Sequence, residues 1–514
     1  MAARVFQING SIIGGAVVAA LLIMLTLGTL SAVAWRAEIF SGLGPQDWSA
    51  VWFTAWQAAV SSILSVVLAI PVARALARRS FWGRGALITV LGAPFILPVI
   101  VAVLGLIAVF GRSGVLGQTM EWIGLEPISI YGIHGVLLAH VFFNLPLATR
   151  LILQGWLIIP SEQFRLAASL DFTSRDVFRH IEMPMLWRVV PGILMVIFLI
   201  CTTSFAVALA LGGGPRATTV ELAIYQAFKF DFDLSKAALL GVVQFAICAT
   251  AALVSLWIAL PQGASGGLDR VIQRKDGSRA VDVCWILLAT AFLLIPLGAI
   301  TIRGIAGLPD ITPELMQAAW RSVWVAVCSA LVTILSALAL AFAGLAWKRI
   351  ELVGYLSIAA SPLVIGTGLF IMTYRWIDPV LLALPVTIVV NAAMSLPFAL
   401  RAISPEMAQV ERDYGRLSQS LGLTTAQYLR SVVIPRLRRP IGFSAGLAAA
   451  LSMGDLGVIT LFADPETATL PLAMYRLMEA YRLDAAYGVA LVLLGLSLML
   501  FWIFDRGGRV NVDA

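Results

Sequence analysis

Few residues in this sequence have types and spacing that could support catalysis. The three histidines, His134, His140 and His180, are too few and too far apart to form a metal site. The nearest approach to a phosphate-binding loop is GGGPRATT at 212–219, which lacks the lysine that such a loop requires. Paired carboxylates and nucleophile arrangements are not evident either. We therefore expect no enzyme activity and no bound metal or cofactor in this chain.

Asp455 is the charged residue that most needs an explanation, because it lies in a long apolar stretch between Gly454 and Gly457. If that stretch crosses a membrane, a carboxylate at such depth should face a cavity or a partner. Two plainer interpretations stay open. Asp455 could pair with an arginine, or it could lie nearer the outer surface.

The elements that carry these residues are long apolar stretches. Hydrophobic residues make up 60% of the chain, charged residues make up 12%, and the mean hydropathy is +0.94. Stretches of about 20 apolar residues, the length that crosses a bilayer as a helix, recur throughout the chain. The sequence predicts an all-α integral membrane protein of about twelve transmembrane helices. The predicted spans are 12–34, 51–73, 86–110, 131–157, 189–211, 237–260, 281–302, 322–346, 351–377, 379–400, 440–463 and 485–504.

The distribution of charge orients these spans. With the N-terminus inside and the spans alternating, most of the 35 Lys and Arg residues fall on the inner side. This asymmetry follows the positive-inside rule, so the net charge of +7 does not indicate nucleic-acid binding. Both termini are predicted to be cytoplasmic.

The chain also contains an internal repeat. A polar linker at 261–280 separates two six-span units, 1–260 and 281–514. Residues 144–192 align without a gap with 395–443, and an even number of spans per unit makes the two units parallel repeats. Shared hydrophobicity would not align the charged and proline positions, which include the pairs Arg150 and Arg401, Arg179 and Arg430, and Pro184 and Pro435.

Each unit carries one long charged loop between its fourth and fifth spans, at 162–184 and 413–435. In both loops, two leucines at i and i+4 predict a short helix with one apolar face. A turn follows, and a threonine with Asp or Gln three positions later predicts a capping box that starts a second short helix. The residues are Leu166, Leu170, Thr173 and Asp176 in the first loop and Leu417, Leu421, Thr424 and Gln427 in the second.

The turn holds Gly422 in one loop and Asp171 in the other. A bend at this position needs positive φ, which glycine adopts freely and aspartate tolerates at modest cost. The alternative is an ordinary amphipathic loop on the lipid interface. The duplication argues against that alternative, because a lipid-surface helix has no need to recur with the same Arg, Leu and Pro positions.

The repeated loop resembles the cytoplasmic EAA loop of binding-protein-dependent ABC importer permeases. In that family a glycine is followed at a set distance by an Ile-x-Leu-Pro-like end, and here Gly422 is followed by VVIP at 432–435. In the other copy IEMP at 181–184 follows Asp171. The Glu-Ala-Ala start is degenerate in both copies.

The resemblance implies the type I ABC importer permease fold. It also implies coupling loops at about 158–188 and 404–439 that engage two copies of a cytoplasmic ATPase subunit, which would use ATP and Mg. The coupling residues that it implies are Arg165, Leu166, Ala167, Leu170, Asp171, Thr173, Arg179 and Pro184, with Arg416, Leu417, Ser418, Leu421, Gly422, Thr424, Arg430 and Pro435.

Four further stretches are similar to the fused thiamine permeases of these importers: 137–154, 212–233, 452–462 and 469–476. The likeness implies transport of thiamine or its phosphates from an extracytoplasmic binding protein across the bacterial inner membrane. Permeases for iron(III), sulfate and polyamines share the loop and the span pattern, so those substrates stay open. An ion-coupled secondary transporter fits less well, because it would usually place several ionisable groups within its spans.

For a thiamine permease, the permanent positive charge of the thiazolium ring gives Asp455 a possible role in the substrate path. Its counterpart in the repeat is Ser204, and the aromatic ring of Phe205 follows. A carboxylate with a nearby aromatic face would lower the barrier for a cation.

Overall fold

The computed structural model describes residues 2–37, 42–92, 96–212, 214, 217–257 and 278–509, and most of the predicted linker at 261–280 lies outside these residues. The described residues form helices and connecting segments, with no β-strand among them. The helices of the first half are α1 Ile13–Arg36, α2 Pro45–Arg78, α3 Arg84–Val90, α4 Val99–Phe110, α5 Val115–Trp122, α6 Ile133–Ile158, α7 Ser161–Ser169, α8 Ser174–Val177, α9 Met183–Thr202, α10 Phe205–Leu211, α11 Val220–Lys229 and α12 Leu234–Trp257.

The second half has a similar order, but one long helix, α17 (Pro379–Ser420), takes the place of α6 and α7. Its helices are α13 Arg279–Gly307, α14 Pro313–Gly344, α15 Leu356–Ala359, α16 Pro362–Thr373, α17 Pro379–Ser420, α18 Thr425–Tyr428, α19 Ile434–Arg436, α20 Arg438–Met453, α21 Ile459–Phe462, α22 Leu470–Glu479 and α23 Leu483–Arg509.

Ten helical stretches in the described part of the chain are long and apolar enough to cross a membrane. Four predicted spans are not single helices, so the expectation of an uninterrupted span is wrong for 86–110, 189–211, 351–377 and 440–463. In the first half, α3 ends at Val90 before α4 begins at Val99, and α9 ends at Thr202 before α10 begins at Phe205. The other two breaks lie at 351–377 and 440–463. In the first, Ser361 caps a new helix that begins at Pro362, and only 12 residues follow to the end of α16. In the second, α20 ends at Met453 and the chain turns through Gly454 before α21.

The repeat seen in the sequence recurs in the hydrogen bonds between helices. At the start of α11, the Val220 N–H donates to the hydroxyl of Thr54 on α2 at 2.9 Å. At the start of α22, the Leu470 N–H donates in the same way to the hydroxyl of Ser322 on α14 at 2.7 Å. The two halves therefore use the same side-chain contact to fix the same pair of elements.

The first helix of each half packs on the other half. α1 lies against α14 and α16, whereas α13 lies against α2 and α4. The buried cores show the same packing. Ala19 and Leu22 of α1 belong to a core whose other buried residues come from the second half. Ile286, Ala289 and Leu293 of α13 belong to a core whose other buried residues come from the first half. A further core joins the two halves around the centre of the molecule.

Candidate functional site: paired loops and a central cavity

The first loop folds as two short helices joined by a turn. α7 ends at Ser169, and Asp171 in the turn adopts a φ of 55°. Thr173 then caps α8: its hydroxyl accepts from the Asp176 N–H at 3.4 Å, and the Asp176 carboxylate accepts from the Thr173 N–H at 3.0 Å. A π-helical turn at Phe178–Glu182 leads into α9. The predicted order of helix, turn and capped helix is confirmed, as is the positive φ.

The second loop has the same turn as the first, but the helix that leads into it is different. α17 runs unbroken over 42 residues into the loop, whereas the first copy is interrupted before α7. Gly422 adopts a φ of 62°, and Thr424 forms the predicted capping box with Gln427 at the start of α18. A π-helical turn at Leu429–Val433 follows, as in the first copy. The local geometry is therefore the same in both loops.

Both loops expose apolar surface. The leucines at i and i+4 point away from the protein, whereas the small residues Ala167 and Ser418 are buried against it. The exposed fractions are 61% for Leu166, 58% for Leu170, 54% for Leu417 and 65% for Leu421. The other residues predicted to couple are also exposed, namely Arg165, Asp171, Thr173, Arg179, Pro184, Arg416, Gly422, Thr424, Arg430 and Pro435. Exposed apolar residues rimmed by arginines are typical of a surface that contacts another protein.

A buried ion-pair network anchors the first loop. Arg74 Nε lies 2.7 Å from a carboxylate oxygen of Glu182, whose side chain is fully buried, and Arg79 Nε lies 2.6 Å from Asp282. Arg78 lies 3.9 Å from both acidic residues. The network thus joins α2 to the loop and to α13 of the other half.

The second loop is anchored differently. The Tyr428 hydroxyl donates to the Glu411 carboxylate at 2.9 Å, so α18 is fastened to the end of α17. Burial, together with this hydrogen bond to Glu411, raises the pKa of Tyr428 above its ordinary value. The hydroxyl therefore stays protonated and keeps its role as donor at physiological pH.

A cavity of about 310 Å³ lies between the two halves, where helices of both repeats are interrupted. Ser204 stands between α9 and α10, Phe205 begins α10, and Asp455 stands between α20 and α21. The structure brings all three residues predicted for a substrate path to this one cavity. Their role in transport stays a prediction.

Asp455 is held by a backbone group, because one carboxylate oxygen accepts from the Gly457 N–H at 3.2 Å. The other oxygen, Oδ2, is buried and has no hydrogen-bond partner among the described residues. The interpretation that Asp455 pairs with an arginine finds no support there.

A second carboxylate, Glu221, lines the same cavity and is not among the residues predicted from the sequence. Glu221 lies in the first turn of α11 and is 1% exposed. Its Oε1 accepts from the Gln244 amide at 3.5 Å. The available signal was a single carboxylate in the otherwise apolar segment VELAI at 220–224.

Curated relatives match the chain over nearly its whole length. The thiamine transport system permease protein ThiP of Escherichia coli (strain K12) is 37% identical over 537 aligned positions, which cover 98% of this chain and 98% of that protein. The same protein from Brucella abortus (strain 2308) is 36% identical and covers 98% of this chain and 96% of the relative. The one from Haemophilus influenzae is 33% identical over 84% of this chain. No family model matches.

The helical repeats, the paired exposed loops and these relatives together define the class: the chain is a fused, two-unit ABC transporter permease, a multi-pass membrane protein. Its work is transport and not catalysis. Within that class, the chain belongs to the family of thiamine transport system permease proteins.

Proposed function

We propose that this chain carries thiamine, or its phosphates, from an extracytoplasmic binding protein into the cytoplasm. The observation that carries the proposal is the relationship to thiamine transport permeases over 98% of the chain. The protein would lie in the bacterial inner membrane with both termini in the cytoplasm, as the distribution of Lys and Arg residues predicts.

Two copies of a separate ATPase subunit would bind and hydrolyse ATP with Mg. Each copy would dock on one repeated loop, with the exposed leucines entering an apolar groove and the arginines meeting its rim. Since both loops present leucines at the same i and i+4 positions, two identical subunits can make equivalent contacts. In support of this proposal, the loops leave these four leucines at least half exposed in the isolated chain.

The loops would transmit movement because each is fixed to the helices behind it. The ion-pair network of Glu182 fixes the first loop to α2 and α13, and the long helix α17 continues directly into the second. When ATP draws the two ATPase subunits together, the loops would follow, and the two halves would open the central cavity to one side or the other.

ATP-dependent uptake of labelled thiamine tests the proposal, using vesicles that contain this protein, its ATPase and its binding protein. We expect uptake to need all three components. Leu421→Asp and Gly422→Glu should abolish uptake together with co-purification of the ATPase, because each places a charge in the apolar contact. Leu125→Asp is the matched control: it alters a leucine that is 55% exposed outside the loops and should keep the ATPase bound.

Two results would contradict the proposal in different ways. Uptake that continues without the ATPase and collapses with the ion gradient would indicate a secondary transporter. Stimulated ATP hydrolysis without thiamine uptake would still support an ABC transporter but would contradict thiamine as its substrate.

A further inference from the structure

The walls of the central cavity come from both halves. The first half supplies the α9–α10 break and the start of α11, and the second supplies the α20–α21 break and part of α17. The cavity therefore lies where a substrate would pass between two moving halves. Its chemistry can be derived from the residues that line it.

The ionisable side chains in the described part of this lining are carboxylates. Glu221 comes from the first half and Asp455 from the second, and no Lys or Arg is among the described residues of the wall. Each carboxylate has one buried oxygen, Oε2 of Glu221 and Oδ2 of Asp455, without a hydrogen-bond partner in the described part of the chain. Buried acceptors without donors are rare in native proteins and indicate that a donor or a cation is missing.

The rest of the lining fits an organic ligand better than a metal ion. Phe205, Phe398 and Met394 provide apolar and aromatic surface, and Ser204, Ser395 and Asn391 provide neutral hydrogen-bonding groups. Among the described residues, no group of three or more His, Cys, Asp or Glu side chains could hold a metal. An aromatic wall with a few polar groups and an acidic residue is the usual composition of a site for an organic cation.

We propose that Glu221 and Asp455 together form the site for a cationic heteroaromatic ring, each carboxylate facing the ligand from one half of the permease. The inference rests on the proposed function, since thiamine carries its permanent positive charge on an aromatic thiazolium ring. Glu221 is the new element: it gives the first half an acidic group where the repeat counterpart of Asp455 is the neutral Ser204.

The carboxylates would stabilise a cation that loses its hydration water in the cavity. A permanent cation cannot lose its charge by deprotonation, so entering an apolar passage costs its full hydration energy unless the wall supplies negative charge. With one carboxylate on each half, the ligand is attracted to both walls when they approach. Separation of the halves then removes part of that attraction and favours release.

Glu221 also has a structural interpretation, because the Gln244 amide donates a hydrogen bond to it. Gln244 further donates to the Thr202 carbonyl at 2.9 Å, so this side chain helps to hold the end of α9. The experiment must therefore measure recognition of charge and not activity alone. A purely structural residue would affect charged and uncharged ligands equally.

The test is uptake into vesicles that hold the complete transporter, for thiamine and for an analogue whose thiazolium is replaced by a neutral aromatic ring of the same shape. We expect Glu221→Gln to lower thiamine uptake by about tenfold or more, the loss that follows from one charge-assisted contact. Uptake of the neutral analogue should not fall with it, and Glu221→Asp should recover part of the preference for the cation. Asp455→Asn should act in the same direction.

Glu126→Gln is the matched control, because Glu126 is an exposed glutamate outside the cavity, and it should leave both ligands unaffected. Co-purification of the ATPase and ATP hydrolysis without substrate should also match the wild type in this control variant. Normal thiamine uptake by Glu221→Gln, or an equal loss for both ligands, would overturn the inference alone. No thiamine uptake by the wild-type transporter would overturn the proposed function and this inference with it.

Discussion

At the scale of single residues, the turn in each coupling loop depends on one backbone conformation. Asp171 and Gly422 both adopt positive φ, at 55° and 62°. A side chain on Gly422 would meet no atom within 4 Å, so any penalty for substitution there comes from the backbone and not from crowding. The two loops thus form the same bend with glycine and aspartate, two residue types that tolerate positive φ.

Substitutions at Gly422 should destabilise the protein in an order set by tolerance of positive φ. We expect Gly422→Asp to cost least, Gly422→Ala about 1 kcal/mol, and Gly422→Val most, since β-branched residues tolerate this region worst. The measurement is the free energy of unfolding of the purified permease in mixed micelles.

Gly495→Ala provides the control for this series. Gly495 also has open space around it but lies inside helix α23, where alanine should stabilise by up to about 1 kcal/mol. If Gly422→Ala were as well tolerated as Gly495→Ala, the positive φ would not govern the turn.

At the scale of elements, the two coupling loops share one geometry but differ in how they are fastened. The first is held by arginines of α2 that pair with Glu182, whereas Val433 stands at the equivalent position of the second. The second relies on the hydrogen bond from Tyr428 to Glu411. The two loops can therefore present similar surfaces to the ATPase and still differ in rigidity, because different contacts hold them.

Glu182→Gln should loosen the first loop selectively. The substitution leaves the Arg74 guanidinium without its closest anionic partner, and removal of one member of a buried ion pair typically costs about 3–5 kcal/mol. We expect faster hydrogen–deuterium exchange in residues 161–180, with exchange in 413–430 unchanged as the internal control. Equal acceleration of both segments would indicate a general loss of stability instead.

Much of this architecture at the element scale could be predicted from the sequence, for reasons that are local. The capping boxes of Thr173 and Thr424 and the bends at Asp171 and Gly422 depend on neighbouring residues only, and the structure has them as predicted. The break at Gly454 was not predicted, because hydropathy averaged over a long stretch does not register a change of chain direction.

Other features depend on contacts between distant residues, which a single sequence does not reveal. Glu221 could not be assigned to the candidate site from the sequence, because only the fold brings it to the same cavity as Asp455. The packing of α1 and α13 on the opposite halves could not be predicted from the sequence either, because hydropathy identifies a span but not the helices next to it.

At the scale of the whole molecule, the exchanged first helices add contacts between the two halves to those of the central core. Both exchanged helices make close contacts at a glycine. A Cβ on Gly15 of α1 would lie 2.3 Å from the Cβ of Ala343, and a Cβ on Gly105 of α4 would lie 2.6 Å from Ile300 of α13. These glycines permit the helices to approach closely, as small residues do in membrane helix pairs.

The two halves should therefore associate even without a covalent connection. When residues 1–260 and 281–514 are produced as separate chains in one cell, we expect them to co-purify in mild detergent, because α1 and α13 still pack on the opposite half. Gly15→Leu together with Gly105→Leu should reduce this association strongly, since each new side chain overlaps a neighbouring helix.

Gly14→Leu is the matched control for this prediction, because a Cβ at Gly14 would meet nothing within 4 Å although the residue is adjacent to Gly15. The control should leave co-purification at the wild-type level. If Gly14→Leu separated the halves as effectively as the double variant, the association would not depend on the close packing of the exchanged helices. Retained association in the double variant would instead assign the contact to the core that joins the halves at the centre.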